Sequence, residues 1–438
     1  MKLAGSASAL LLMKRVKSAR GEEPEGRAKP FPREEKAKIY FAQGPDMNRI
    51  TNELLDSLGG IQALVGKEDI VIIKPNSQQW HQGATNTDVM AAFIQSVLDI
   101  PGFIGEIIVA DNHQAQVDDS RGWTTDKKNG RFNLNELVAY FNQRGFRNVT
   151  KYHWRPAGPN PRPLMMDGSG NSVISHPSDG DGYIWPEGLF YVCPFGHKSL
   201  LAYPVFTSSY SGVTIDLKDG PYKNGKYTGQ PMKLVNFSAL NHHGLYAGAT
   251  ASVKNFMGVV DMSCGYPAPK PSGTYNTHHI GATGIFKVLS RHRDRLQRLP
   301  GFWNFYLSPQ VFRFRYTGGV LGSFQQNVRR ADINIITAIR VGWGSRTDPK
   351  KSYPANAVIA STDPVALDYW ACENVLLKAT KEVDAPESYV RLNDPGIRGG
   401  VLRMFLEECR REMGGTLDPQ NMVLVSSATL GDGSLNEV

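Results

Sequence analysis

Cysteine is scarce in this 438-residue chain: Cys193, Cys264, Cys372 and Cys409 are the only four, and no two form a Cys-x-x-Cys pair. Local cysteine pairs build structural zinc sites and iron–sulfur clusters, so no cysteine-ligated iron–sulfur cluster is expected. Four common catalytic signatures are also missing: Gly-x-Gly-x-x-Gly, Gly-x-x-x-x-Gly-Lys-[Ser/Thr], Gly-x-Ser-x-Gly and His-Glu-x-x-His. Their absence argues against the usual dinucleotide, nucleotide, esterase and zinc-protease chemistries. No segment is long and apolar enough to span a bilayer, and no repeat of fixed period is visible.

What is present suits a globular protein with a large core, because 41% of residues are hydrophobic and the chain is long. With 44 glycines and 27 prolines, long irregular loops are expected. The net charge of +8 is concentrated in two places. Residues 1–36 hold nine Lys/Arg against five Glu, and residues 287–330 hold nine Lys/Arg against one Asp. The second stretch interleaves its bases with aromatics, as in Phe312-Arg-Phe-Arg-Tyr316. Such a mixture can sit on a membrane surface, or can be a surface insertion whose rings pack down; the second reading is preferred. No nucleic-acid fold motif accompanies it, so no nucleic-acid partner is expected.

Hydrophobic periodicity predicts an α/β fold with a parallel or mixed sheet flanked by helices. The apolar run Ile70–Ile73 and the run Glu106–Ala110 read as buried strands, separated by a helix over 88–99 that Thr87 would cap. A strand–helix–strand crossover makes the two strands parallel, so both end on the same sheet edge, where open α/β folds bind ligands. Those ends carry Lys74 and Asn76 on one strand, and Asp111, Asn112 and His113 on the other. Further strands are predicted at 233–237, 332–339 and 357–360. The last is followed by Asp363-Pro364, a capping carboxylate and a first-turn proline opening a helix over 365–377. Asp368 lies in the next turn.

The densest group of chemistry-bearing residues runs from Leu240-Asn-His-His-Gly244 to Ala247-Gly-Ala-Thr-Ala-Ser-Val-Lys-Asn-Phe-Met-Gly258. Small residues allow close backbone approach, and the imidazoles, ammonium and amide supply a base or metal ligand, a cation and a two-way hydrogen bonder. His242 and His243 are expected just beyond a strand end. Residues 250–259 are expected to form a helix whose first amides face an anion beside Lys254. A second pair, His278-His279, follows.

This block resembles the signature of the family called domain of unknown function 362, in which a turn ending in His-Gly precedes Thr-x-x-x-Lys-Asn-x-x-Gly. His243, Gly244, Thr250, Lys254, Asn255 and Gly258 fall on that pattern. Ile72-Ile-Lys-Pro-Asn76 and Ala360-Ser-Thr-Asp-Pro-Val-Ala-Leu-Asp368 resemble two further blocks of the family. Three positions depart from it: Asn241 stands where relatives often have lysine, His242 where a small hydroxyl is common, and Thr337 where relatives often have an acid. The resemblance implies a family α/β domain over 37–378, carrying the 287–330 basic-aromatic insertion. A signal-like segment and linker would precede it at 1–36, and a helical and strand extension would follow at 379–438. Leu3–Met13 is similar to the apolar core of a secretory signal. Relatives with twin-arginine leaders look similar there, which implies export to the periplasm or envelope if the true start lies upstream of Met1; the alternative is a cytoplasmic protein.

The expected site is a His/Lys/Asp cleft acting on a small phosphorylated or carboxylated substrate. His243, Lys254, Lys74 and Asp111 would be catalytic, and Asn76, Thr250, Asn255, Asp363 and Asp368 would bind substrate or cofactor. A divalent metal is one candidate cofactor, with His242, His243, His278 and His279 as its ligands. Two other readings stay open: an exported protein that holds a metal, anion or cofactor without turning it over, and an envelope-associated protein that makes peripheral membrane contact through 287–330.

Overall fold

A computed structural model of the chain describes residues 36–77, 83–112, 128–155, 172–193, 198–244, 247–260, 309–342 and 349–426. The main sheet is built from β1 (Ala37–Gln43), β2 (Ile70–Pro75), β3 (Glu106–Asn112), β4 (Val149–Arg155), β13 (Met232–Gly244), β15 (Ile333–Gly342), β16 (Ser352–Ser361) and β17 (Met422–Ser426). They lie in the order β17-β1-β16-β15-β13-β2-β3-β4, and β14 (Gly248–Thr250) folds back on β13. Along that path β16 alone runs against the other strands. The fold is therefore α/β with a mixed, largely parallel sheet, as the periodicity predicts.

Alternation along each strand gives the sheet two apolar faces. On β2, Ile70 and Ile72 enter one core and Val71 and Ile73 the other. The second core is closed by α1 (Met47–Ser57), α3 (Thr87–Leu98) and α4 (Leu134–Gln143), whose Leu54, Phe93 and Phe141 are fully buried. A four-residue helix, α2 (Ile61–Leu64), lies between α1 and β2. The cap of α3 is Asn86 rather than Thr87: its side chain accepts from the amides of Asp88 and Val89, each at 3.1 Å. Thr87 is one residue too far along, and its hydroxyl turns to the Asn129 carbonyl at 2.9 Å.

The first core is roofed differently. A small sheet of β5 (Ser172–Ile174), β6 (Gly182–Ile184), β9 (Tyr203–Thr207), β10 (Thr214–Asp216), β11 (Gly220–Lys223) and β12 (Lys226–Tyr227) contributes Tyr183, Tyr203, Phe206 and Ile215 to it. The pair β7 (Phe190–Val192) and β8 (Lys198–Leu200) adds Tyr191 and Leu200. The short α5 (Ser252–Asn255) and the longer α6 (Pro309–Asn327) follow, and α7 (Pro364–Ala371) runs through a π turn at 372–376 into α8 (Leu377–Glu382). Two C-terminal helices, α9 (Glu387–Asn393) and α10 (Val401–Met413), complete the set.

The described parts of the basic-aromatic insertion and of the C-terminal extension both pack against the α/β body. Of the basic-aromatic stretch, 287–308 lies outside the described residues. Within α6, however, Tyr316, Val320, Leu321 and Phe324 are buried, and Arg315 pairs with the buried Glu408 of α10. Among the described residues after 379, α10 packs on α6 and β17 extends the main sheet through β1. Residues 1–35, including the signal-like segment, lie outside the described residues. Among the described residues, no helix is long and apolar enough to cross a membrane.

The α6–α10 crossing is set by glycine for reasons of space. A Cβ on Gly318 would stand 2.0 Å from the Phe405 carbonyl oxygen, and one on Gly322 would stand 2.5 Å from that of Cys409. In an isolated helix Gly318→Ala would gain about 1 kcal/mol of propensity. Here the forced separation of two backbones outweighs that gain, with a net loss on the order of 1–3 kcal/mol expected in urea unfolding. A stabilised Gly318→Ala protein would show that the helices do not meet so closely.

Candidate functional site

β2 ends by placing an ammonium where its alternation calls for an apolar side chain. Lys74 follows Ile70 and Ile72 on the same face and is 1% exposed. An ammonium has three hydrogens, and all three find acceptors. They go to Asp111 Oδ1 at 3.0 Å, to Asn255 Oδ1 at 3.1 Å and to the Pro75 carbonyl. Asp111, also 1% exposed, accepts further from the Ser77 amide at 3.1 Å, the Ser77 hydroxyl and the Asn112 amide at 2.9 Å. Burial disfavours both charges. It lowers the affinity of Lys74 for its proton and raises that of Asp111, each effect offset in part by the other residue's charge.

Gly258 seals this pair. A Cβ there would stand 2.1 Å from Asp111 Oδ1 and 2.5 Å from Lys74 Nζ, so any larger residue would wedge the ion pair apart. The glycine closing the Lys-Asn motif is thus required by packing, whereas Gly244, at φ 62, is required by backbone conformation.

From Lys74 a row of polar side chains crosses the sheet in register. Lys74 faces Asn236 on β13, Asn236 faces Asn334 on β15, and Asn334 faces Ser361 on β16. The bonds between them fix the orientation of every amide. Because Lys74 can only donate, Asn255 must turn its oxygen to it and its nitrogen to Asn236 Oδ1, 2.7 Å away. Asn236 then donates to Asn334 Oδ1 at 2.8 Å and to the Ser252 carbonyl at 2.9 Å, and Asn334 donates to the Ser361 carbonyl at 3.3 Å.

α5 hangs over this row from Asp368. The carboxylate, 2% exposed, accepts from the amides of Ser252 (2.7 Å) and Val253 (2.9 Å) and from the Ser252 hydroxyl. These are the amides expected to receive an anion, and the anion they receive is the chain's own. The predicted helix over 250–259 is also shorter: Thr250 ends β14, α5 spans one turn, and residues 256–258 tighten to a 3-10 turn.

Residues 230–373 match the family described as a domain of unknown function, DUF362. Comparisons with curated proteins and with solved structures gave no match. The DUF362 span contains Asn236, Ser252, Asn255, Asn334, Ser361 and Asp368, whereas Lys74 and Asp111 come from outside it. One side of the buried cluster is thus built from the matched domain and the other from the preceding crossover.

The other expected site residues are placed separately. Asn76 bonds Thr85 through its amide at 2.8 Å, and Asp363 caps α7 through the amides of Val365 and Ala366 while also holding the Thr416 amide at 2.9 Å. Lys254 is buried and its ammonium meets Met257 Sδ. β13 runs on past β2, so His242 and His243 lie within the strand rather than beyond its end. His243 is seven residues beyond Asn236, roughly 20 Å along an extended chain, and bonds Thr250 Oγ1 at 2.8 Å. His242 meets Asn393 at 3.0 Å, and its ring lies tilted against that of Tyr389 with centroids 4.5 Å apart. His113, His278 and His279 lie outside the described residues, and among those described no group of three or more His, Cys, Asp or Glu converges to hold a metal.

Burial, the largest influence, pushes Asp368 up to about 7, against the pull of its hydrogen bonds. Between about pH 4 and pH 7 the native carboxyl keeps a proton that the unfolded chain has lost, so this group's contribution to stability falls as pH rises. Urea unfolding of wild type against Asp368→Asn isolates it. The wild type should lose on the order of a few kcal/mol relative to the variant across that window. A difference flat with pH would contradict the burial argument.

Proposed function

We propose that the protein binds a small phosphorylated or carboxylated molecule at Lys74 and acts on it there, with Lys74 neutralising the anion and Asp111 taking or returning a proton. One observation carries this reading. The buried Lys74 ammonium stands at the carboxyl edge of parallel strands β2 and β3, and one of its three hydrogens goes to a carboxylate that another anion could replace. Asp111 is thus both a counter-ion and a competitor. Its tendency to hold a proton lowers the cost of releasing Lys74, because the displaced carboxyl can become neutral. Anion affinity should accordingly rise as pH falls.

Thermal unfolding in graded inorganic phosphate and in graded oxalate tests this, because a ligand that binds only the native state raises Tm with concentration. Removing Lys74 alone would leave a buried carboxylate unpaired at a cost of about 3–5 kcal/mol, so the cation is better removed as the pair Lys74→Met, Asp111→Leu. The wild type should show a saturable Tm rise with at least one anion. Asp111→Asn should show a larger rise and the double variant none. Equal responses in all three proteins, or no response in the first two, would overturn the proposal.

A further inference from the structure

Asp368 lies at the far end of the hydrogen-bonded cluster from Lys74, yet the chain between them has no free joint. Its carboxylate holds two successive backbone amides and the hydroxyl at the start of α5. Asn255 is the last residue of that single turn, and its oxygen meets Lys74 while its nitrogen reaches Asn236 and, at 3.2 Å, the Lys74 carbonyl. Asn236 returns to the same turn through the Ser252 carbonyl. A four-residue helix cannot hold itself, since one turn closes too few hydrogen bonds to offset the entropy of ordering it. External anchors must fix it, and the carboxyl group of Asp368, which holds two of its amides and a hydroxyl, is the principal one.

We infer that Asp368 is a positioning residue for Lys74: by pinning the amides of Ser252 and Val253 it sets Asn255, and Asn255 sets the direction of the Lys74 ammonium. The amides between them cannot pass a proton along readily, so the coupling is geometric. This deepens the proposed function and rests on Lys74 being the cation that meets the ligand. It also gives the Asp368 block a role that helix capping does not cover, because Asp363 alone caps α7.

The test reads Lys74 directly, without any ligand. Native full-length protein is pulsed with trinitrobenzenesulfonate at fixed pH, and modification of Lys74 is followed by peptide mass spectrometry in wild type, Asp368→Asn, Asn255→Ala and the double variant. Glu106→Gln is the control, since Glu106 is a buried carboxylate at the opposite end of β3, held by Ser208 and Ser211. Asp368→Asn should speed Lys74 labelling by on the order of tenfold, about what loss of one charge-assisted hydrogen bond corresponds to. Adding Asn255→Ala should bring little further increase, because residues acting through one contact are not additive. Glu106→Gln should leave the rate unchanged. Labelling unmoved by Asp368→Asn, or effects of Asp368→Asn and Asn255→Ala that simply multiply, would overturn the inference. Should Asp368→Asn fail to fold, Ser252→Ala removes one of the same anchors and must give the same acceleration. Phosphate and oxalate titrations of these variants separate the two levels. If labelling moves while anion response does not, Asp368 positions Lys74 but Lys74 is not the ligand's cation; if labelling is unmoved, the positioning role falls whatever the anions do.

Discussion

The removal of one ammonium group from water constrains everything around it. Burying an isolated charge is costly beyond what a single hydrogen bond returns, so Lys74 is tolerable only because each of its hydrogens meets an acceptor and one acceptor carries the opposite charge. That requirement dictates a partner strand ending beside it, an amide held at fixed height above it, and a glycine where the covering backbone passes. β3 supplies the first, α5 the second and Gly258 the third.

The same constraint propagates across the sheet. An amide whose oxygen is committed to a lysine has only its nitrogen left, so Asn255, Asn236 and Asn334 are oriented in sequence like a row of tipped dominoes. Polar side chains in a buried strand are costly when half satisfied and rigidifying when fully satisfied. Here they cross four adjacent strands and tie the matched DUF362 span to the crossover before it. The two apolar cores lie on either side of the sheet and provide the bulk of burial, while the row specifies how β2 and β13 stand relative to α5.

Much of this was legible in the sequence, and the failures have physical causes. The Ile-Val-Ile-Ile run and the strand–helix–strand spacing predict β2 and β3 as parallel neighbours, which is why Lys74 and Asp111 could be expected on one edge. Capping chemistry predicts Asp363. Asp368, by contrast, is expected from the sequence only as a substrate or cofactor contact, because its partner amides lie over a hundred residues away. The histidine pair looks like a strand-end feature because periodicity locates the start of β13 but not its length; pairing with β14 and β15 carries the strand beyond its apolar run. Asn236 and Asn334 were missed although each interrupts an apolar strand with an amide, a visible signal. What sequence alone does not supply is the register that sets them side by side.

Lys74 and Asp111 form a desolvated ion pair in which burial loosens the lysine's hold on its proton. The pH titration of the Lys74 Nζ resonance, assigned in lysine-labelled protein by its loss in the Lys74→Met, Asp111→Leu variant, measures this directly. A desolvated ammonium should give a midpoint below the ordinary lysine value of about 10.4, separated from the surface lysines. A midpoint among those of the surface lysines would mean that the ammonium is hydrated, and the buried pair would no longer be the constraint around which the site is built.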